Sequence, residues 1–256
     1  MDLDPGLAAL RPLGPFFVLR TFVEDADGSR AALPTLADAY ALRKPGAHPD
    51  PLAARVRKVA GAIRAPEARV AASVAQQGLA ARLWSAALGS AALYGRVPDL
   101  DPRLLHWDPD ASAPDDLWLS APRPSPGDAG TLAAVVVDGH LRPLALALRA
   151  RHRLAEGLLW GNAASALAGA ARELERWARA HARADVAART RSLTAELFAH
   201  PPLAATGAFT RTGGTGTGGG FRRRSCCLYY RVPGGGVCGD CCFPRPPRSS
   251  ARGTSG

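Results

Sequence analysis

The five cysteines of this 256-residue chain all lie between positions 226 and 242. Cys226 and Cys227 are adjacent, ten residues separate Cys227 from Cys238, and two more separate Cys238 from Cys241, which gives the spacing C-C-x10-C-x2-C. A Pro-Gly-Gly-Gly run at 233–236 allows the chain to turn back between the two pairs. The spacing therefore predicts that the thiols of this short segment meet at one site.

The rest of the chain indicates a reducing compartment. It starts with Met-Asp-Leu-Asp-Pro-Gly, which is acidic where a secretory signal is basic. The most apolar stretch, 132–148, is interrupted by polar residues and by Pro143, and falls short of the roughly 20 apolar residues that span a bilayer. We therefore expect a cytoplasmic protein with no transmembrane segment; a peripheral position at the inner face of the membrane is the other location considered. In the cytoplasm, clustered cysteines are typical of metal or redox sites rather than disulfides.

Three kinds of site fit four or five clustered cysteines in such a compartment. Four thiolates are the usual ligands of a [2Fe-2S] cluster. A structural zinc ion also takes four cysteines, more often as two C-x2-C knuckles, and adjacent cysteines suit two irons better than one tetrahedral ion. The segment from Cys238 to Cys241 also has the C-x-x-C form of a redox dithiol, although a thioredoxin-like βαβ context is missing. The spacing favours the cluster and leaves zinc and the dithiol open.

The cysteine segment is strongly basic. From position 221 to 256 it contains seven arginines and one acidic residue, Asp240, for a formal charge of +6. A cluster with four thiolates is an anion that becomes more negative on reduction, so nearby arginines should favour the reduced form and lower thiol pKa values. The arginines closest in sequence are Arg222, Arg223, Arg224 and Arg231.

The net charge of the whole chain, +10, also raises the possibility of a polyanionic partner. No helix-turn-helix, zinc-finger or aromatic RNA-binding signature accompanies that charge. We therefore expect no nucleic-acid partner.

The apolar composition is dominated by Ala and Leu, which favours helices over sheets. The predicted fold class is α+β, predominantly α-helical with a small antiparallel sheet, followed by a short cysteine-rich segment after a Gly-rich linker. Helices are predicted over 53–94 and 153–180, with a further helix that ends at His200. Short strands are predicted over 16–22, 117–119 and 132–137.

Changes in composition predict four parts of the chain. The Gly/Thr tract has almost nothing to bury and is typical of a flexible linker. The predicted parts are a mostly helical substrate-binding domain at 1–205, the linker at 206–220, a cluster-binding segment at 221–245 and a disordered basic tail at 246–256.

The string RRRSCCLYYRVPGGGVCGDC resembles the C-terminal signature of the FhuF-type ferric-siderophore reductases. The upstream segments ARVAASVAQQGLAARLWSAALGSAALYG with VPDLDP, and EGLLWGNAASALAGA, are similar too, so the resemblance extends over roughly 68–242. It implies a [2Fe-2S] cluster held by Cys226, Cys227, Cys238 and Cys241. Cys242 departs from the pattern and is either a competing ligand or a spare thiol.

The resemblance also implies an enzyme, a ferric-siderophore reductase. Such an enzyme would reduce hydroxamate-type ferric complexes by single-electron transfer from the cluster and release ferrous iron in the cytoplasm. The sequence has no GxGxxG fingerprint after a strand, so electrons are expected from a separate donor. The alternative function is a non-enzymatic, zinc-stabilised binding module for a protein or polyanion.

A reaction of this kind requires no general base or nucleophile, so no catalytic residue beyond the cluster is predicted. The body would contribute contacts to the substrate. The candidate substrate residues are Arg82, Trp84, Arg223 and Arg224. For Trp84, the competing interpretation is an anchor of the hydrophobic core.

Overall fold

The computed structural model describes residues 7, 9–22, 29–42, 50–210 and 220–247. Within these residues the fold is α+β and predominantly helical, as predicted. The helices are α1 (Leu36–Tyr40), α2 (Pro51–Ile63), α3 (Ala68–Tyr94), α4 (Ala129–His152), α5 (Glu156–Ala180), α6 (Ala184–Ala199) and α7 (Pro201–Ala204). The strands are β1 (Arg20–Thr21), β2 (Arg96–Pro98), β3 (Leu105–Trp107), β4 (Leu117–Leu119), β5 (Pro124–Pro126), β6 (Gly207–Phe209) and β7 (Phe221–Arg223).

Helices α3 and α5 form the centre of the core. They pack more extensively against each other than any other pair of the described elements, and α2 and α6 flank them. Small alanines such as Ala72, Ala80, Ala163 and Ala164 are fully buried and allow the two backbones to approach closely. A helix that is apolar nearly all round, as α3 is, belongs inside the protein.

The helix predicted over 53–94 is two helices in the structure. Helix α2 starts behind Asp50, whose carboxylate accepts the N–H of Ala53, and it ends at Arg64 in the left-handed conformation. Pro66 follows two residues later, and a proline disfavours helical geometry in the residue before it. Gly95 ends α3 with a φ of 67°, as its position predicted.

The strand predicted over 132–137 is wrong, because these residues belong to α4. Asp128 caps the helix by accepting the N–H of Thr131, so the helix begins before the valine run. Val136 and Val137 are then fully buried, and this tertiary packing overrides their preference for strands. The middle of α4, Ala133–Leu141, has the wider π-helical geometry.

Helix α4 is also the one described helix long and apolar enough to cross a membrane, with a mean hydropathy of 1.4. This is weak evidence, because buried core helices pass the same test. In the structure 56% of the apolar window is buried. His140 of this helix is buried in the protein core. Its Nδ1 accepts a hydrogen bond from the Tyr40 hydroxyl at 2.9 Å, and its Nε2 donates one to the Leu100 carbonyl.

The sheets are small. Strand β4 lies between β1 and β3, pairing antiparallel with β3 and parallel with β1. The pairs β2–β5 and β6–β7 are antiparallel. The predicted strand at 117–119 coincides with β4, whereas the one predicted at 16–22 is reduced to the two residues of β1.

A buried arginine attaches residues 15–18 to α3. Arg82 is 2% exposed and its Nε donates to Asp116 Oδ1 at 2.9 Å. Its other nitrogens donate to main-chain carbonyls, including that of Val18 at 2.8 Å. Trp84 on the same helix is completely buried. The predicted substrate contact of Arg82 and Trp84 is therefore not supported by their positions, which are those of core residues.

Replacement of Arg82 tests this structural role. In Arg82→Met, Asp116 becomes a buried charge without its partner, so we expect a loss of about 3–5 kcal/mol in the free energy of unfolding. The measurement is urea unfolding followed by circular dichroism. Arg103→Met removes an exposed arginine that pairs with Asp101 and should leave the unfolding curve nearly unchanged. Equal curves for the two variants would contradict the role.

Candidate metal centre

The cysteine segment begins in a hairpin that is attached to the helical body. Strands β6 and β7 pair with Gly207 opposite Arg223 and Phe209 opposite Phe221. Phe198 of α6 contacts both phenylalanine rings, at centroid distances of 4.9 and 5.1 Å. A side chain at position 207 would place its Cβ 2.4 Å from the Phe221 ring, so this close approach requires glycine.

The hairpin includes the first residues of the predicted linker. The linker was predicted to start at residue 206, but Gly207–Phe209 form β6. Residues 211–219 lie outside the described residues, as do 248–256 of the predicted tail. The division into four parts therefore stays a prediction.

The chain reverses direction between the two cysteine pairs, as the glycine run predicted. Leu228 has a φ of 69° and Gly234 a φ of 71°, both in the left-handed region. A Cβ on Gly235 would lie 2.5 Å from the carbonyl oxygen of Tyr229, so the turn needs glycine at that position. This geometry returns Cys238 to the neighbourhood of Cys227.

All five thiols converge, in two groups. The Sγ atoms of Cys227 and Cys238 lie 3.7 Å apart. Those of Cys226, Cys241 and Cys242 lie within 4.8 Å of one another. All five thiols are free, and Cys227 and Cys241 are buried.

The sulfur positions suit two metal ions better than one. Two thiolates on one tetrahedral ion, with metal–sulfur bonds of about 2.3 Å, lie about 3.8 Å apart. The separation of Cys227 from Cys238 matches that value. The second group supplies sulfurs for a second ion, as a two-iron centre requires.

Main-chain amides point at the sulfurs from two residues downstream. The N–H of Leu228 donates to Cys226 Sγ at 3.3 Å, and that of Phe243 donates to Cys241 Sγ at 3.4 Å. Such bonds stabilise a metal-bound thiolate. The amide bond to its sulfur therefore favours Cys241 over Cys242 as a ligand.

The pKa of the Cys227 thiol is lowered by its neighbours. Thiol hydrogen bonds from Cys226 and Cys238, followed by the charge of Arg223, lower the pKa of Cys227 to about 2 against the effect of burial. Because they act as donors to this thiolate, Cys226 and Cys238 have raised pKa values. The neighbours of Cys227 thus favour its thiolate form, the form that binds metal.

Arg223 is the charged partner of the thiols. It is 2% exposed, and its Nη2 donates to Cys238 Sγ at 2.6 Å. Its Nη1 donates to Asn162 Oδ1. Burial lowers the pKa of Arg223, but the negative charge of Cys227 and the hydrogen bond to Cys238 help to outweigh burial, and the net shift is upward. A buried arginine that has a thiolate as its counter-charge favours an anionic site.

One nitrogen of Arg223 also lacks a partner. Its Nε is buried and has no acceptor among the described residues. A buried donor left without an acceptor is costly, and a cluster sulfur would supply one. The donor set and the orphaned N–H thus both fit an anionic iron–sulfur cluster.

Helices α3 and α5 hold this arginine and its segment in place. Asn162 of α5 donates to Ser73 Oγ of α3 at 3.0 Å, and Ser73 Oγ donates to the carbonyl of Cys227 at 2.7 Å. Ser225 Oγ donates to the carbonyl of Gly157 at 2.8 Å. A Cβ on Gly161 would lie 2.1 Å from Ser225 Oγ, so a side chain there would displace this hydroxyl from its bond to Gly157. The cluster segment is therefore packed against the body.

Sequence reasoning missed the supporting role of Ser73 and Asn162. Their signal was a polar residue within an otherwise apolar, Ala-rich helix, because a polar side chain in a core needs a partner. That signal identifies candidates but not the residues they meet. Asn162 and Arg223 are 61 positions apart, and Ser73 and Cys227 are 154 apart.

The four arginines predicted around the site have different positions. Arg223 is the one whose side chain contacts a thiol, among the described residues. Arg222 is exposed and donates to the Cys242 carbonyl, and Arg231 pairs with Glu67. Arg224 is exposed and lines the same cavity as Trp160, so its contact with substrate stays a prediction. Arg223 lies in the metal centre, where its side chain is unavailable to substrate.

Two family models match the chain. The one described as ferric iron reductase FhuF-like transporter matches residues 65–205, and the one described as FhuF 2Fe-2S C-terminal domain matches residues 223–243. A comparison with curated proteins gave no match. The second family match assigns the cofactor of the cysteine site as a [2Fe-2S] cluster, in preference to zinc or a dithiol.

The reduction potential tests the position of Arg223. A buried cation stabilises the more negative, reduced cluster. Arg223→Gln should therefore lower the ratio of reduced to oxidised cluster about tenfold at a fixed potential, which is about 59 mV for one electron. The measurement is a redox titration followed by electron paramagnetic resonance.

Arg224→Gln is the matched control, since it removes the same charge from an exposed neighbour that solvent screens. It should shift the potential much less. Arg223→Lys, which retains the charge, should lie between wild type and Arg223→Gln. Equal shifts at positions 223 and 224 would mean that only the net charge of the segment matters.

Proposed function

The chain belongs to the FhuF-like ferric iron reductase family, and from this we propose that it reduces hydroxamate-type ferric siderophores by single-electron transfer from its [2Fe-2S] cluster. The observation that carries the proposal is the convergence of the thiols around buried Arg223, beside a solvent-open cavity large enough for a chelate. A one-electron carrier next to such a cavity suits the reduction of a bound metal complex.

We propose Cys226, Cys227, Cys238 and Cys241 as the cluster ligands. Cys227 and Cys238 would hold one iron, which their sulfur separation supports, and Cys226 and Cys241 would hold the other. Cys242 would be a spare thiol. In the same proposal, residues 1–205 present the substrate and residues 221–245 bind the cluster.

The cluster supplies a one-electron redox centre when it is bound. The side chains of the protein prepare its surroundings: Arg223 supplies a buried positive charge, and Asn162 and Ser73 hold that arginine against the thiols. Burial of Cys227 and Cys241 limits contact with water. The electron transfer itself needs no general base or nucleophile, and it loosens the metal because hard oxygen chelators bind Fe(II) far more weakly than Fe(III).

The proposal includes a separate electron donor and release of ferrous iron in the cytoplasm. The GxGxxG string at 214–219 lies in the Gly/Thr tract, with no predicted strand before it and no predicted helix after it, and this supports an external donor over a bound nicotinamide. Cysteines that stay free suit a reducing compartment.

Serine variants test the ligand assignment. Cys241→Ser should lose most of the cluster or change its spectrum, because serine removes a thiolate that also accepts an amide bond. The adjacent control Cys242→Ser should retain wild-type iron, sulfide and visible absorption. The measurements are iron and sulfide analysis after anaerobic purification. The reverse result, with loss only in Cys242→Ser, would exchange the two assignments.

Reduction of a ferric siderophore tests the activity. Anaerobic protein reduced with dithionite and freed of excess reductant is mixed with ferrioxamine and a ferrous trap. One ferrous ion per cluster is expected, with recovery of the oxidised cluster spectrum. A colourless protein with stoichiometric zinc would support the zinc-binding alternative. A loaded cluster that yields no ferrous ion would rule out the reductase function.

A further inference from the structure

We propose that the ferric chelate binds in a cavity of about 600 Å³ bounded by residues 14–17, by α3, by α5 and by residues 238–240 of the cysteine segment. This inference rests on the proposed function and adds the location of its substrate. The volume lies within the range typical of pockets for small ligands. The cavity is open to solvent, as a site for an arriving chelate must be.

One wall of the cavity carries a thiol of the cluster site. Cys238 lines it, and the same cysteine lies against Cys227 and accepts a hydrogen bond from Arg223. The next residue, Gly239, has no side chain, and a Cβ built on it would meet no atom within 4 Å. A ligand in the cavity can therefore approach the backbone beside a cluster thiolate without an intervening side chain.

Two other cavities near the cysteine segment are less suitable. One is lined by Cys238, Gly239 and Cys241, but its volume is only about 290 Å³. The other, of about 460 Å³, is lined by Trp160 and Arg224 and includes no cysteine. Of the three, the cavity of about 600 Å³ combines sufficient volume with a cluster thiol.

The walls of this cavity are held from both sides. Asp240 accepts a hydrogen bond from the hydroxyl of Ser165 on α5 and forms an ion pair with Arg172 at 3.2 Å. On the other side, Arg82 binds the carbonyls of Pro15 and Phe16 and so fixes the loop at 14–17. The cavity is thus formed before a ligand arrives, which reduces the entropic cost of binding.

The lining suits an uncharged or cationic chelate with an aliphatic frame. Phe16 and Ala170 contribute apolar surface, and Gln77 and Ser85 contribute polar groups. The charged side chains are Arg172, Glu173 and Asp240, for a formal charge of −1. A carboxylate excess repels a polyanionic complex, such as a ferric tricatecholate, and accepts a neutral or cationic trihydroxamate.

Gln77→Trp fills the cavity from α3 and tests the location. Holoprotein is titrated with the redox-inert gallium complex of desferrioxamine, so binding is measured separately from reduction. We expect at least tenfold weaker binding and a raised KM for ferrioxamine, with unchanged iron content and cluster spectrum. Ala205→Trp, in the cavity that Trp160 lines, is the control and should bind like wild type.

Glu173→Lys, at an exposed position, provides a second variant that does not disturb the core. Wild type should bind the gallium trihydroxamate more tightly than a gallium tricatecholate, and Glu173→Lys should narrow that difference. Equal binding of the two complexes by wild type would overturn the charge argument.

The outcomes separate the location from the function. If wild type reduces ferrioxamine but Gln77→Trp binds and reduces it equally well, this cavity is not the site. If only Ala205→Trp weakens binding, the chelate binds beside Trp160. If wild type neither binds nor reduces the chelate, the proposed function itself fails.

Discussion

The buried guanidinium of Arg223 is the interaction on which the cluster site depends. Its charge is stabilised in the interior because the Cys227 thiolate lies near it, and because Cys238 Sγ and Asn162 Oδ1 each accept one of its N–H groups. The same arginine belongs to β7, and its amide donates to the Asp240 carbonyl at 3.0 Å. One residue therefore links the hairpin, both cysteine pairs and the helical body.

Because of this link, the packing of the helical core determines where the cluster lies. Asn162 and Ser73 belong to α5 and α3, so the site is attached to the central helix pair of the core. Gly161 allows the cysteine segment to lie directly on α5. The cavity beside the thiols uses the same two helices, and Arg82 fixes its far wall. The cluster site and the proposed substrate site are thus both supported by α3 and α5.

Much of the fold could be predicted from local patterns, and the errors have a common cause. Helix ends at Gly95 and before the prolines at 201 and 202 follow from backbone sterics, which the sequence displays directly. The valine run at 135–137 favours a strand by local propensity, but its burial within α4 makes it helical. Arg82 looks like a surface residue until Asp116, 34 positions away, is found beside it.

The chemistry of the site follows from the amino-acid sequence alone, which contains the clustered cysteines, a glycine turn that lets them meet and the motif of the family. These features are local, so spacing and backbone conformational freedom are sufficient to identify them. Three features follow only from the three-dimensional arrangement: which of four arginines contacts a thiol, which polar residues support it and which cavity opens beside Cys238. These features depend on contacts across α3 and α5 between residues that are far apart in sequence. Among residues of the same type, such as the four arginines, the burial of the side chain distinguishes the one at the site.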